Sequence, residues 1–394
     1  MKVTKVDIYA REDACPPWIF VAVRTDSGAV GLGEATSFPG GAIIVAALRE
    51  FAPLLVGRDP FAIEEHVQRM RKHCSYLGAD GACAAAISGL EIALWDLVGK
   101  HAGLPIAQLL GGRAGGRVPL YANGWIKKAE FTPEAFAEHA RVAVSRGFKA
   151  LKLDPFSDPR CGVAALDFDA ARTLSPELEE HGFAIITAVR EAIGPGVRLA
   201  FDVHGRFNVP AAIRVGRRLE DVDPLFYEEP TEPDNFDAMR RVARGVPVPV
   251  CAGERYFGCK GFQRYFEEGV LDVAMPDICR TGGILESRKI AALAELHGVL
   301  FAPHNPNGPV GTAASLHVMA ACANGLILEY FDDLDALRET LGQSTLDIRE
   351  GSAVVPLLPG LGITISDAAL EEFAHARDLP GTGTTVFGYQ RERL

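Results

Sequence analysis

Paired cysteines, basic charge and long apolar stretches are all scarce in this 394-residue sequence. Its eight cysteines (Cys15, Cys74, Cys83, Cys161, Cys251, Cys259, Cys279, Cys322) form no C-x-x-C pair and sit in apolar contexts, so they read as reduced structural thiols. Lys and Arg total 40 against 51 Asp and Glu, a formal charge of −11, which argues against nucleic acid or an anionic membrane surface as a partner. A small anionic substrate stays open, because a bound metal inverts the local field. The opening MKVTKVDIYARED alternates charged and apolar residues, and no later stretch approaches bilayer length. A cytoplasmic protein without a membrane partner is therefore expected.

The chain is longer than one compact core usually holds, so a large domain with a smaller one is expected. Residues 1–117 read as a small α+β domain: strand-like runs KVTKVDIYA and WIFVAVRTD, a turn DSGAVGLGEA, then helices. In AAAISGLEIALWDLVGKHAG the apolar stripe Ile87, Leu90, Leu94, Leu97 has helical spacing, and Gly99 and Gly103 fall where the helix should end. From 118 to 350 short apolar runs alternate with helix-length segments. The runs are VPLYANG, KALKLD, VRLAFDV, PLFYEEP, VPVCAGE, LDVAMPD, VLFAPHN and LILEYF. Expected helices include 133–146, 209–219, 236–244, 261–268, 282–297 and 311–321. Eight such units predict parallel strands in a TIM-like (β/α)-barrel, with a doubly wound sheet as the competing architecture. Residues 155–180, rich in Pro and Asp, read as a loop over the strand ends. The segment 351–394 has strand, turn and helix signals and is expected to return to the small domain.

Ionisable residues collect at the C-terminal ends of these runs: Lys152 and Asp154, Asp202 and His204, Glu228, Glu254, Asp277, His304 and Glu329. In a parallel barrel those ends converge on one face, where active sites of this architecture lie. Asp202, Glu228 and Glu254 stand 26 residues apart, one βα unit each. Three neighbouring carboxylates repel unless a cation lies between them, and hard oxygen ligands favour Mg²⁺. Strand alternation admits one Glu of YEEP to the interior, and the spacing selects Glu228 over Glu229. Asp277 is placed to orient His304 as a general base; His204, two residues from Asp202, is the candidate acid. Lys152, between Leu151 and Leu153, should point inward with Asp154. Glu329 either donates to a developing oxyanion when protonated or holds a neighbour.

Taken in order, SGLEIALWDLVGK, LPIAQLLGG, DVHG, YEEP, AGER, the PD and GGI after the sixth run, APHNPNGP and PGLGI resemble the mandelate racemase branch of the enolase superfamily. Within it, the Asp-x-His pair with HGR, AGER and APHNPNGP is similar to galactonate dehydratase and related acid-sugar dehydratases. The resemblance implies an N-terminal capping domain, a modified TIM barrel and one Mg²⁺ on Asp202, Glu228 and Glu254. It also implies that His304, paired with Asp277, takes the proton beside the substrate carboxylate, and that His204 protonates the departing 3-hydroxyl. Racemases and lactonizing enzymes of the branch carry Lys-x-Lys on the second strand; here it is Lys152-x-Asp154. That departure weakens two-base proton transfer and leaves Lys152 as a candidate contact of the substrate carboxylate. The expected function is dehydration of an aldonate, a small anionic acid sugar, to a 2-keto-3-deoxy acid. The alternatives are racemisation or epimerisation of a 2-hydroxy acid, or a slow metabolite-binding regulatory protein of the same fold. Specificity is expected from residues Arg11 to Trp18, the turn Ser37 to Gly41 and the loop after Asp154. A homo-oligomer is expected, the common state of such enzymes.

Overall fold

The computed structural model describes residues 1–10, 18–37, 40–127, 129–158, 172–341 and 346–375. Its first layer is antiparallel: β1 (Val3–Ala10) pairs with β2 (Ile19–Thr25), and β2 with β3 (Val30–Glu34). Helices α1 (Gly41–Phe51), α2 (Ile63–His73) and α3 (Ala82–Ala102) pack on this sheet and on one another. The glycine-rich stretch expected as a turn is therefore strand from Val30 onward. A Cβ at Gly31 or Gly33 would run into the α3 backbone at Ala93 or Gly89, so these glycines serve close strand-to-helix packing instead of a bend.

The stripe Ile87, Leu90, Leu94, Leu97 is buried, and α3 stops at Gly103, whose φ of 68° lies in the left-handed region. Gly99 is not at the end but inside the helix, where its missing side chain admits Gly360. Contrary to the sequence expectation, α3 has the length and apolarity to cross a bilayer. It is instead a core helix, with 78% of its apolar window buried and the acids Glu91 and Asp96 buried on it.

Each of the eight expected runs contains a strand: β4 (Arg117–Asn123), β5 (Ala150–Leu153), β6 (Arg198–Asp202), β7 (Tyr227–Glu228), β8 (Val250–Ala252), β9 (Val273–Ala274), β10 (Leu300–Phe301) and β11 (Leu328–Phe331). β4 to β10 are parallel neighbours in chain order, β11 pairs in parallel with β4, and the bridge Phe301 to Gly325 joins β10 to the segment entering β11. That closure excludes a doubly wound sheet. Helices Pro133–Ser145, Pro176–Ile193, Val209–Leu219, Phe236–Ala243, Gly258–Glu267, Gly283–Leu296 and Pro309–Met319 follow the first seven strands, whereas β11 is followed by a 3₁₀ turn and the short helix Asp335–Glu339. The barrel is modified in its last unit.

Ser175 caps Pro176–Ile193 by accepting from the Leu178 N–H, so the end of the expected 155–180 loop is helix. Residues 159–171 of that loop lie outside the described residues. After the barrel, β12 (Ile348–Arg349) and β13 (Ser352–Val354) form a hairpin across residues 350–351, and β13 pairs antiparallel with the start of β4. The chain then reaches the cap: the Leu361 N–H donates to Asp96, Arg24 pairs with Asp367 at 2.8 Å, and Phe373 stacks on Trp18. No disulfide occurs among the described residues; Cys74, Cys83, Cys251, Cys259, Cys279 and Cys322 are free thiols.

Candidate active site

Parallel strands in chain order open all their C-terminal ends on one face, and the ionisable residues gather there. Lys152 points into the barrel as its flanking leucines require, with Nζ 5.6 Å from the centre of the Tyr121 ring. The ammonium lies 2.8 Å from Glu228, 2.8 Å from Glu329 and 3.3 Å from Asp202. Burial opposes its charge, but Glu228 and Glu329 hold its pKa well above the usual lysine value.

Glu228 faces inward and Glu229 does not, because the chain turns sharply after β7, with Glu229 at a φ of 40°. Glu229 instead meets the Arg255 guanidinium, which also reaches Glu232 at 2.9 Å. Glu254 lies just past β8 with its carboxylate 2.7 Å from His304 Nε2. Burial raises the Glu228 carboxyl far above its ordinary range, and Asp202 adds to the rise. Glu228 Oε1 is buried and has no hydrogen-bond partner among the described residues. An orphaned carboxylate oxygen, crowded by Asp202 and with Glu254 one strand away, fits a hard divalent cation. In the geometry shown, no three Asp, Glu, His or Cys side chains among the described residues close around an ion. The positive partners are Lys152 and His204 for Asp202, Lys152 for Glu228, and His304 and Arg255 for Glu254.

His304 is held from both sides. Its Nδ1 is 2.8 Å from Asp277, with a backbone bridge between the two residues, and Asn307 and the Cys279 N–H donate to the other Asp277 oxygen. Asp277 thus fixes the tautomer, leaving Nε2 to face the site. Burial pulls the His304 pKa down, but Glu254 and Glu329 outweigh it and raise it well above the usual value. His204 stands on the Asp202 side, Nε2 3.3 Å from that carboxylate and Nδ1 3.7 Å from Asp154. Burial again opposes its charge, and Asp202 with Asp154 carries it up to about 9. The backbone at His204 has a φ of 49°, a strain of roughly 1–2 kcal/mol for a residue with a Cβ.

Glu329 accepts from Lys152, Asn123 and the Asn305 N–H; although burial would raise it, Lys152 and His304 hold it well below the ordinary range. Of the two roles expected for Glu329, its contacts with Lys152, Asn123 and Asn305 are those of a group that holds its neighbours. Sequence reasoning missed the partners that fix these groups: Arg206 on Asp154, Arg255 on Glu229, and the amides of Asn123, Asn305 and Asn307. Arg206, Arg255 and the two later asparagines lie inside HGR, AGER and APHNPNGP, but nothing in spacing alone paired them. Trp18 is buried in the cap between Phe20 and Phe373. Arg11 to Pro17 and residues 38–39 lie outside the described residues.

Residues 10–111 match the family model described as mandelate racemase/muconate lactonizing enzyme, N-terminal domain, and residues 135–369 match enolase C-terminal domain-like. A D-gluconate/D-galactonate dehydratase of Picrophilus torridus is 33% identical over 382 residues, 95% of this chain and 94% of its own length. A D-xylonate dehydratase of Haloferax volcanii is 36% identical over 357 residues, 90% of this chain and 85% of its own length. The crystal structure of a member of the enolase superfamily from Salmonella Typhimurium superposes with a TM-score of 0.86 at 29% identity, covering 94% of this chain and 98% of that one. With both domain models matched in order on one barrel and its cap, the chain belongs to the mandelate racemase/muconate lactonizing enzyme family of the enolase superfamily.

Proposed function

We propose that this protein is a hydro-lyase that dehydrates an acid sugar, an aldonate, to its 2-keto-3-deoxy acid. The observation that carries the proposal is the placement of two histidines on opposite flanks of the acids Asp202, Glu228 and Glu254, with Asp277 2.8 Å behind the His304 ring and Asp154 3.7 Å from His204 Nδ1. The dehydratase names of relatives at about a third identity support the same reaction class. Asp202, Glu228 and Glu254 would hold Mg²⁺. A cation there supplies Lewis-acid stabilisation to the enediolate that forms when a proton leaves the carbon beside a carboxylate.

The side chains divide the remaining work. His304 Nε2 takes the C2 proton, while Asp277 keeps the Nδ1 proton in place and stabilises the imidazolium that results. His204 delivers a proton to the C3 hydroxyl, which leaves as water, and the enol so formed tautomerises to the 2-keto acid. Lys152 gives Asp202, Glu228 and Glu329 a shared positive partner and holds the Glu329 carboxyl below its ordinary range. Racemisation needs a second base on the opposite face of the carbon. On β5, Lys152 is committed to three carboxylates, and Asp154 is tied to Arg206 and His204.

A panel of aldonates incubated with the protein and Mg²⁺, with 2-keto acid trapped as a semicarbazone, tests this. Keto acid that disappears on chelation is the expected result. Deuterium entering C2 with inversion and no keto acid would assign a racemase, and Mg²⁺-dependent ligand binding without turnover would assign a binding protein.

A further inference from the structure

Two acids of the cap reach across to the barrel behind the proposed base. Glu34, at the end of β3, accepts from the Gly308 N–H at 2.6 Å and the Gly311 N–H at 2.7 Å, at the start of helix Pro309–Met319. Glu91, in the middle of α3, accepts from the Ile284 N–H at 2.8 Å and the Leu285 N–H at 2.9 Å, at the start of helix Gly283–Leu296. These two helices follow the strands whose ends carry His304 and Asp277. The glycines are part of the fit, since a Cβ at Gly283 would strike Glu91 and one at Gly308 would crowd Glu34. Thr36 and Trp95 each donate a further hydrogen bond, at 2.6 Å to Glu34 and 2.9 Å to Glu91. Both carboxylates are fully buried, and burial pushes them up to about 7 and about 8. Keeping an acid in either place costs stability that a neutral side chain would spare, yet each faces two N–H groups at the positive end of a helix.

We infer that Glu34 and Glu91 are positioning residues for the His304 and Asp277 pair: the cap fixes, through these carboxylates, the helix starts that set where the two ring partners stand. Short covalent paths carry the effect. Gly308 is four residues past His304, and the intervening Asn307 donates to Asp277 at 3.1 Å. The turn from Asp277 to Gly283 is closed by the Arg280 and Thr281 N–H groups on the Asp277 carbonyl. The inference rests on His304 being the base.

Glu34→Gln and Glu91→Gln test it, because an amide offers one acceptor and turns its NH₂ toward the second N–H. Asp96→Asn is the control: Asp96 is another buried cap acid that accepts two backbone N–H groups, at Leu32 and Leu361, but touches neither helix start. In the full chain labelled with ¹⁵N-histidine, the His304 Nδ1–H resonance, identified by its loss in His304→Asn, should shift in both glutamine variants and stay in Asp96→Asn. kcat should fall about tenfold or more with KM nearly unchanged, since displacements of an ångström cost up to about 10²-fold. If either glutamine variant folds poorly, Thr36→Val and Trp95→Phe remove one bond each and should show smaller shifts of the same kind. An unmoved His304 resonance beside a melting loss like that of Asp96→Asn would overturn the inference. A shifted resonance in a protein that dehydrates nothing would instead sink the proposed function and leave the positioning role standing.

Discussion

Replacing His204 with Asn separates proton removal from water loss. Asn is chosen because the backbone at 204 has a φ of 49°, a left-handed conformation that Asn adopts more readily than most residues with a Cβ. Its amide also retains donors near Asp202. The lost element is then the acid that protonates the leaving hydroxyl, worth about 10²–10⁴-fold, or about 2.7–5.5 kcal/mol of barrier. His304 is not touched: its contacts are Asp277 at 2.8 Å and Glu254 at 2.7 Å, on the other flank of the acids. The assay is proton NMR of an aldonate in D₂O, following loss of the C2 signal, beside semicarbazone formation for keto acid. His204→Asn should lower keto-acid formation by about two to four decades while C2 exchange stays within about tenfold of the parent rate. His304→Asn should lose both. Exchange lost with elimination retained in His204→Asn would mean that the acid and base are assigned the wrong way round.

Asp277→Asn leaves His304 its packing but removes the charge behind the ring, and should slow C2 exchange and dehydration together by about 10²-fold or more, with KM little changed. Lys152→Met leaves Asp202, Glu228 and Glu329 without their shared cation and should cost roughly 3–5 kcal/mol in chelator, read by denaturant titration. Because Lys152 and a divalent ion draw on the same carboxylates, added Mg²⁺ should raise the melting midpoint of the Met variant more than that of the parent; equal shifts would contradict that competition. His317 is buried as a neutral ring, accepting from the Ala107 N–H and facing the Leu361 carbonyl, with its pKa lowered by burial to about 4. A histidine depressed in the folded state binds more protons when unfolded, so its contribution is complete above about pH 6.5 and falls as pH drops toward 4. At pH 5.5 the loss is about 1.4 kcal/mol, and His317→Gln should be spared it when melts at pH 7.5 and 5.5 are compared.

The barrel was legible because its strands are short and mostly apolar and buried, and because the interval between the acids at the ends of β6, β7 and β8 repeats. Cap elements were harder to read where packing overrode local signals. Gly31 and Gly33 look like a turn until α3 is seen lying on them, and only the contact with Gly360 explains Gly99 inside a helix. The start of Pro176–Ile193 was readable in principle, since Ser175 before Pro176, with Glu177 and Glu179 in the first turn, is a helix opening that the surrounding Pro and Asp obscured.

At the site, the divide runs between strand register and partners far apart in sequence. A spacing of one βα unit places Asp202, Glu228 and Glu254 on adjacent staves whatever the loops do, so the acids follow from periodicity alone. Their partners do not: Lys152 meets Glu228 across 76 residues, Arg206 meets Asp154 across 52, and Gly308 meets Glu34 across 274. Those contacts depend on barrel closure and on the cap being seated, which no single segment encodes. They also bear on the reading of Lys152-x-Asp154 under the proposed dehydration. Asp154, just past β5, pairs with Arg206 and lies 3.7 Å from His204, so in the proposed reaction it anchors the acid and does not act as a second base. Freeing Asp154 by Arg206→Met should therefore disturb His204, lowering keto-acid formation more than C2 exchange. An equal fall in both would place Arg206 with the general scaffold of the site, apart from the acid.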